Sequence, residues 1–131
     1  MSHRITGPAL ATAAILGSAG VAHLIKPALF DPIVPAWVPG SARLTTYVSG
    51  VAELAAAMLI IHPRTRRFGG WFALAVFAAV YPANIQAALD GGIEGAKPPL
   101  DSAAAAWIRL PVQLPLFWLA WRTARPGNGR G

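Results

Sequence analysis

The chain has 131 residues, of which 55% are hydrophobic and 12% charged; the charged share is about half that of an ordinary soluble domain. Net charge is +6 and mean hydropathy is +0.49, so the cations read as orientation signals for a membrane protein and nucleic acid is not expected as a partner. With no cysteine, disulfide exchange, thiolate catalysis and cysteine-ligated metal centres are excluded.

Four apolar stretches, near 5–25, 44–61, 69–89 and 103–122, contain only Glu53 and Arg109 as formal charges before Arg122 closes the last of them. Each is about 20 residues long, enough to span about 30 Å of hydrocarbon. The expected fold is therefore all-α, a single integral membrane four-helix bundle over 1–131, with an outer interfacial loop at 26–43 and a flexible basic tail at 123–131. Arg4, then Arg64, Arg66 and Arg67, then Arg122, Arg125 and Arg130 mark the N-terminus, the second loop and the C-terminus. The first and third loops hold only Lys26, Arg43 and Lys97 as cations. This asymmetry predicts cytoplasmic termini in a multi-pass protein of the cell membrane.

The first stretch opens on Thr6-Gly7-Pro8, a helix start, and carries Ala13, Gly17 and Gly20 as a small-residue stripe. Such a stripe lets helix backbones approach closely in lipid. Gly20-Val21-Ala22 imitates a signal-peptide cleavage site, but cleavage would remove one of the four spans, so a retained helix is expected. His23 continues the stripe toward the outer interface. The following loop contains four prolines together with Phe30, Ile33, Val34, Trp37 and Val38. It reads as an interfacial lid over the bundle mouth, or equally as a simple connector, with Asp31-Pro32 opening a short helical piece and Trp37 at headgroup depth.

In the second stretch Thr46, Ser49, Gly50, Glu53 and Ala57 share a polar, small face. Glu53 lies about 13 Å inside the outer end at 1.5 Å per residue. A lone carboxylate at that depth costs about 2.5–3.5 kcal/mol on insertion scales, so it is expected to face the bundle interior and to have partners. The third stretch places Phe77, Tyr81, Asn84 and Ala88 on one face, with Pro82 freeing a carbonyl one turn earlier. Gln86 points elsewhere and is expected to meet headgroups or the lid, and 90–101 reads as an exposed turn region. In the fourth stretch Arg109 and Gln113 share a face, Pro111 and Pro115 bend the helix, and Trp107, Trp118 and Trp121 suit aromatic belts.

His23, Glu53, Tyr81, Asn84, Arg109 and Gln113 thus belong to the outer half of the expected bundle. Glu53 and Arg109 differ in depth by about 5 Å, which suggests a neutralising Arg–carboxylate fork. Two readings stand: a pocket for the polar head of a lipophilic molecule, or a purely structural pair that sets helix register.

The segments GVAHLIKPALFDPIVPAWVPG, VSGVAEL, YPANIQAAL and WIRLPVQLPLFWLAW, in order from Gly20 to Trp121, resemble the DoxX and DoxX-like family of small bacterial membrane proteins. The resemblance implies a four-helix inner-membrane fold and association with redox or detoxification systems. It maps onto His23 with Pro27, Glu53, Pro82 with Asn84, and Arg109 with Pro111 and Gln113. Any thiol relay known among relatives has no cysteine here to carry it.

The functional expectation is a redox-associated accessory protein, not a stand-alone enzyme, holding a quinone-like lipophile as its candidate cofactor. Its expected partners are membrane lipid, a membrane or membrane-associated oxidoreductase, and a second copy of the chain. No catalytic or metal constellation is visible. The alternatives are a non-catalytic scaffold or assembly module built around a structural Glu53–Arg109 pair, and a small solute or proton carrier using Glu53.

Overall fold

A computed structural model describes residues 4–125. Its long elements are α1 (Gly7–Ile25), α2 (Ala42–Ile61), α3 (Arg66–Leu89) and α4 (Ala103–Ala124), with two short 3-10 turns, Pro27–Leu29 and Asp31–Ile33, between α1 and α2. Three of the helices begin on a hydroxyl cap. Thr6 Oγ1 accepts from the Ala9 N–H, Ser41 Oγ from Leu44 and Ser102 Oγ from Ala105, each satisfying an amide that the first turn leaves unpaired. The Ser41 cap explains why α2 starts at Ala42, slightly before its apolar stretch.

α3 starts differently. Thr65 makes no side-chain cap; its hydroxyl instead donates 2.6 Å to the Leu59 carbonyl. Arg66 donates from Nε to Ile60 O at 2.8 Å and from Nη2 to Ile61 O at 3.0 Å. These bonds satisfy the carbonyls that end α2, and they draw Arg66 into the first turn of α3, ahead of the expected start near 69.

All four helices are long and apolar enough to cross a membrane. α1 packs on α2, α2 on α3, α3 on α4, and α4 returns to α1, which leaves α2 and α4 across from each other. The last contact includes Thr12 and Thr123, whose hydroxyl oxygens are 3.4 Å apart. The core is built largely of alanine (Ala9, Ala13, Ala56, Ala57, Ala73 and Ala120) around Leu16, Ile60 and Phe77. Leu10, Val48, Val51, Met58, Phe68, Ile108, Val112 and Leu114 face outward. Small residues inside and large apolar ones outside reverse the pattern of a water-soluble domain and suit helices that meet lipid.

Two expectations change. The basic tail does not begin at 123: α4 continues to Ala124, and Thr123 and Ala124 are buried. The reason is a close crossing at Gly70, where a Cβ would overlap the Ala124 backbone nitrogen and lie 2.8 Å from Thr123 C. The rest of the expected tail, 126–131, lies outside the described residues. Nor is the third loop wholly exposed. Ile93 is buried and joins Ala87, Ala88 and Ala106 in a second apolar cluster. Gly92 makes this fold-back feasible, since its φ is 129° and a Cβ there would overlap the Asp101 carbonyl.

Candidate functional site

The site grows from the crossing of α1 and α2. A Cβ on Gly20 would lie 2.8 Å from Gly50 O, and one on Gly50 would lie 2.8 Å from the His23 Cβ. Backbone contact of this kind needs glycine on both sides. It brings His23, one turn past Gly20, beside Glu53, one turn past Gly50. His23 Nδ1 lies 2.7 Å from Ala19 O and 3.6 Å from Glu53 Oε2. A carbonyl only accepts, so Nδ1 carries the proton, and Nε2 is an acceptor whenever the ring is neutral. Glu53 is 7% exposed, and its buried Oε2 has no hydrogen-bond partner.

The loop after α1 packs against the histidine of this pair. Phe30 stacks on His23 with ring centroids 3.8 Å apart and planes at 18°. The next residue anchors the loop: Asp31 Oδ1 accepts from Thr46 Oγ1 at 2.8 Å, and Oδ2 accepts from Arg43 Nε at 2.9 Å. The Thr46 hydrogen bond, with the Arg43 guanidinium beside it, holds the Asp31 carboxyl below the usual carboxylate range. Asp31 therefore stands inside the short turn and reaches across to α2, where the sequence suggested a simple cap. Trp37, farther along the loop, is exposed.

A second polar group joins α3 to α4. Asn84 Nδ2 donates to Gln113 Oε1 at 3.3 Å, and Gln113 Nε2 donates to Phe77 O at 3.1 Å. Tyr81 OH donates to Leu110 O at 3.4 Å, while its ring meets Phe117 edge-on at 5.5 Å. The carbonyl that Gln113 takes is adjacent to that of Ala78, the one Pro82 deprives of its helical donor. Gln86, expected to meet headgroups or the lid, donates to Asp90 one turn on at 2.9 Å.

Arg109 belongs to neither group. It is partly buried, and its Nη1 has no hydrogen-bond partner. The expected fork with Glu53 is absent: Glu53 is paired with His23, and Arg109 stands in no ion pair with it. The physical reason is the packing order, because α2 and α4 stand across from each other and matched depth does not make them neighbours. The six candidate residues thus form His23–Glu53 on one side and Tyr81–Asn84–Gln113 on the other, with Arg109 separate from both hydrogen-bonded sets.

Sequence reasoning did not assign Phe30, Arg43 or Asp31 to the site. The available signal was local: an aromatic–acid pair in a proline-rich loop, followed at 43 and 46 by a cation and a hydroxyl one helical turn apart. Chemically, a histidine beside a buried carboxylate can hold or pass a proton, and an unpartnered guanidinium nitrogen can donate to a carbonyl or anion. No group of three or more metal-ligating side chains occurs among the described residues.

No curated protein and no solved structure matches the chain. Residues 12–124, which run from the Thr12 contact in α1 to the end of α4, match the family described as Domain of unknown function (DUF8561). The chain belongs to that family.

Proposed function

We propose that this protein is a multi-pass component of the bacterial plasma membrane that holds the polar head of a quinone-like lipophile and serves a membrane redox partner. Its four helices form a transmembrane bundle with both termini in the cytoplasm, an orientation supported by the arginines at 64, 66, 67, 122 and 125. The end carrying loops 26–41 and 90–102 then faces outward. The observation that carries the binding reading is the pair of buried polar atoms without a hydrogen-bond partner in the protein, Glu53 Oε2, with His23 at ion-pair range only, and Arg109 Nη1. Unpaired buried polar groups are costly, so a ligand that hydrogen-bonds to them offsets a penalty already built into the apo fold. The similarity of these positions to DoxX-type motifs favours a redox setting.

The test is mass spectrometry of lipids co-purified with the protein in mild detergent, comparing wild type with Glu53→Gln and Arg109→Gln. A quinone present in wild type and depleted in both variants is the expected result. Absence of any such molecule in wild type, or equal retention in both variants, refutes the proposal.

One observation favours a scaffold instead. The Asn84–Gln113–Phe77 chain is satisfied within the protein and ties α3 to α4, as a register-setting device would. Under that reading both variants change stability alone.

A further inference from the structure

Outside the intramembrane site, a cleft of about 540 Å³ opens between the first and third loops, lined by none of the six candidate residues. Lys26 at the end of α1, Arg43 in the first turn of α2 and Lys97 in loop 90–102 all line it. These three are all the cations that the sequence places at this end of the helices. The same end carries four carboxylates, Asp31, Asp90, Glu94 and Asp101, and none lines the cleft. Cations from three separate elements meet at one concavity; Asp31 offsets Arg43 from outside the wall, and Lys26 and Lys97 leave the site net positive.

The remaining wall differs from that of a site for a free hydrophilic anion. Ile25, Pro27 and Leu29 contribute apolar surface beside the charges. Asp31 fixes Arg43 by accepting from Nε at 2.9 Å and Tyr47 bonds to it as well, which orients the guanidinium while its five-donor fork keeps further N–H groups to meet an anion. Loop three runs close to loop one at Gly95, where a Cβ would lie 3.8 Å from the Pro32 side chain.

We propose that this cleft binds a phosphate ester, with Lys26, Arg43 and Lys97 on the phosphate oxygens and the apolar wall against the adjoining carbon chain. A phospholipid headgroup and inorganic phosphate present the same anion, and the apolar wall favours the lipid. This site is independent of the quinone proposal.

The test titrates the full chain in neutral detergent with short-chain phosphatidylglycerol, short-chain phosphatidylcholine and inorganic phosphate, following the thermal midpoint and the phosphorus NMR shift. Phosphatidylglycerol is expected to bind, more weakly as salt rises, and phosphatidylcholine to bind less. Lys26→Gln combined with Lys97→Gln should weaken binding about tenfold or more. Both lysines are exposed, so the fold is expected to survive, as circular dichroism will check. Arg64→Gln combined with Arg67→Gln, at the opposite end, is the control and should leave binding unchanged. Binding of phosphatidylglycerol alone identifies the lipid as the source; comparable binding of inorganic phosphate identifies a soluble anion, and either supports phosphate recognition. The proposal is overturned by no binding, by equal affinity for phosphatidylcholine, or by equal loss in both double variants.

Discussion

His23 Nδ1 lies 3.6 Å from Glu53 Oε2 and 2.7 Å from Ala19 O, so the imidazole is held by its own helix while facing a carboxylate on the next. The ring orientation therefore does not depend on Glu53, whereas the environment of Glu53 depends on where α1 places His23.

That placement rests on the glycine crossing. Gly50→Ala puts a Cβ 2.8 Å from the His23 Cβ and 3.2 Å from Gly20 O, and α1 and α2 must separate to admit it. A loss of about 1–3 kcal/mol is expected, read as a lower thermal midpoint of helicity in detergent. Gly17→Ala is the contrast, because its Cβ meets only Ala57 Cβ at 3.7 Å. With the helix propensity gain of alanine, it should be neutral or stabilising. Equal destabilisation by both would show that this crossing is not tight.

Gln113→Leu removes the acceptor of Asn84 and the donor to Phe77 O together. Leaving those groups unsatisfied should cost about 1–3 kcal/mol. A cycle with Asn84→Ala should be non-additive, since the two residues share one hydrogen-bond chain. Strict additivity in thermal or denaturant unfolding would argue that the α3–α4 bonds act separately.

Arg109 makes the opposite prediction for stability. Replacing a partly buried guanidinium that has an unpartnered Nη1 by leucine should raise the ligand-free stability by about 1–3 kcal/mol, the penalty of one unsatisfied buried donor. The same variant should lose whatever lipophile wild type retains. A stability decrease in the ligand-free protein would show that Arg109 is already compensated.

The loop anchor should respond to acid. Asp31 has a carboxyl held below the usual range by Thr46 and then by Arg43. A lowered folded-state value means that the anchor's contribution is complete above the unfolded carboxylate range, about 4. It is lost as pH falls through the folded value. Hydrogen exchange across 27–34 should be steady from about pH 7 to 5, apart from the intrinsic rate change, and lose protection only under stronger acid. Asp31→Asn should remove that acid step; its persistence in the variant would assign the step to another group.

The number and length of the helices were legible because the four apolar stretches are separated by prolines, glycines and charges, and the Ser and Thr caps refine the starts by a few residues. The small face Ala13, Gly17 and Gly20 also announced a close crossing, which the structure places against Gly50, Leu54 and Ala57. Neighbour order was less legible. Counting residues along a helix gives depth but not which helix stands beside it, and for that reason Glu53 and Arg109 were matched across the packing. The Phe30 stack on His23 and the Asp31 anchor depend on how a proline-rich loop folds back, which helical periodicity does not encode. Asn84 and Gln113 were easier to group, since each is an amide on an apolar helix and needs a hydrogen-bond partner.

The meeting of Gly20 and Gly50 also has a mechanical side. Because the two backbones approach most closely there, the crossing is the natural fulcrum for any rocking of α1 on α2. His23 and Glu53 sit a single turn from that point and sweep the shortest arcs, while the far ends of both helices travel most. A relative tilt of the two helices would therefore leave the histidine–carboxylate spacing nearly constant and spend its displacement at the opposite end of the molecule.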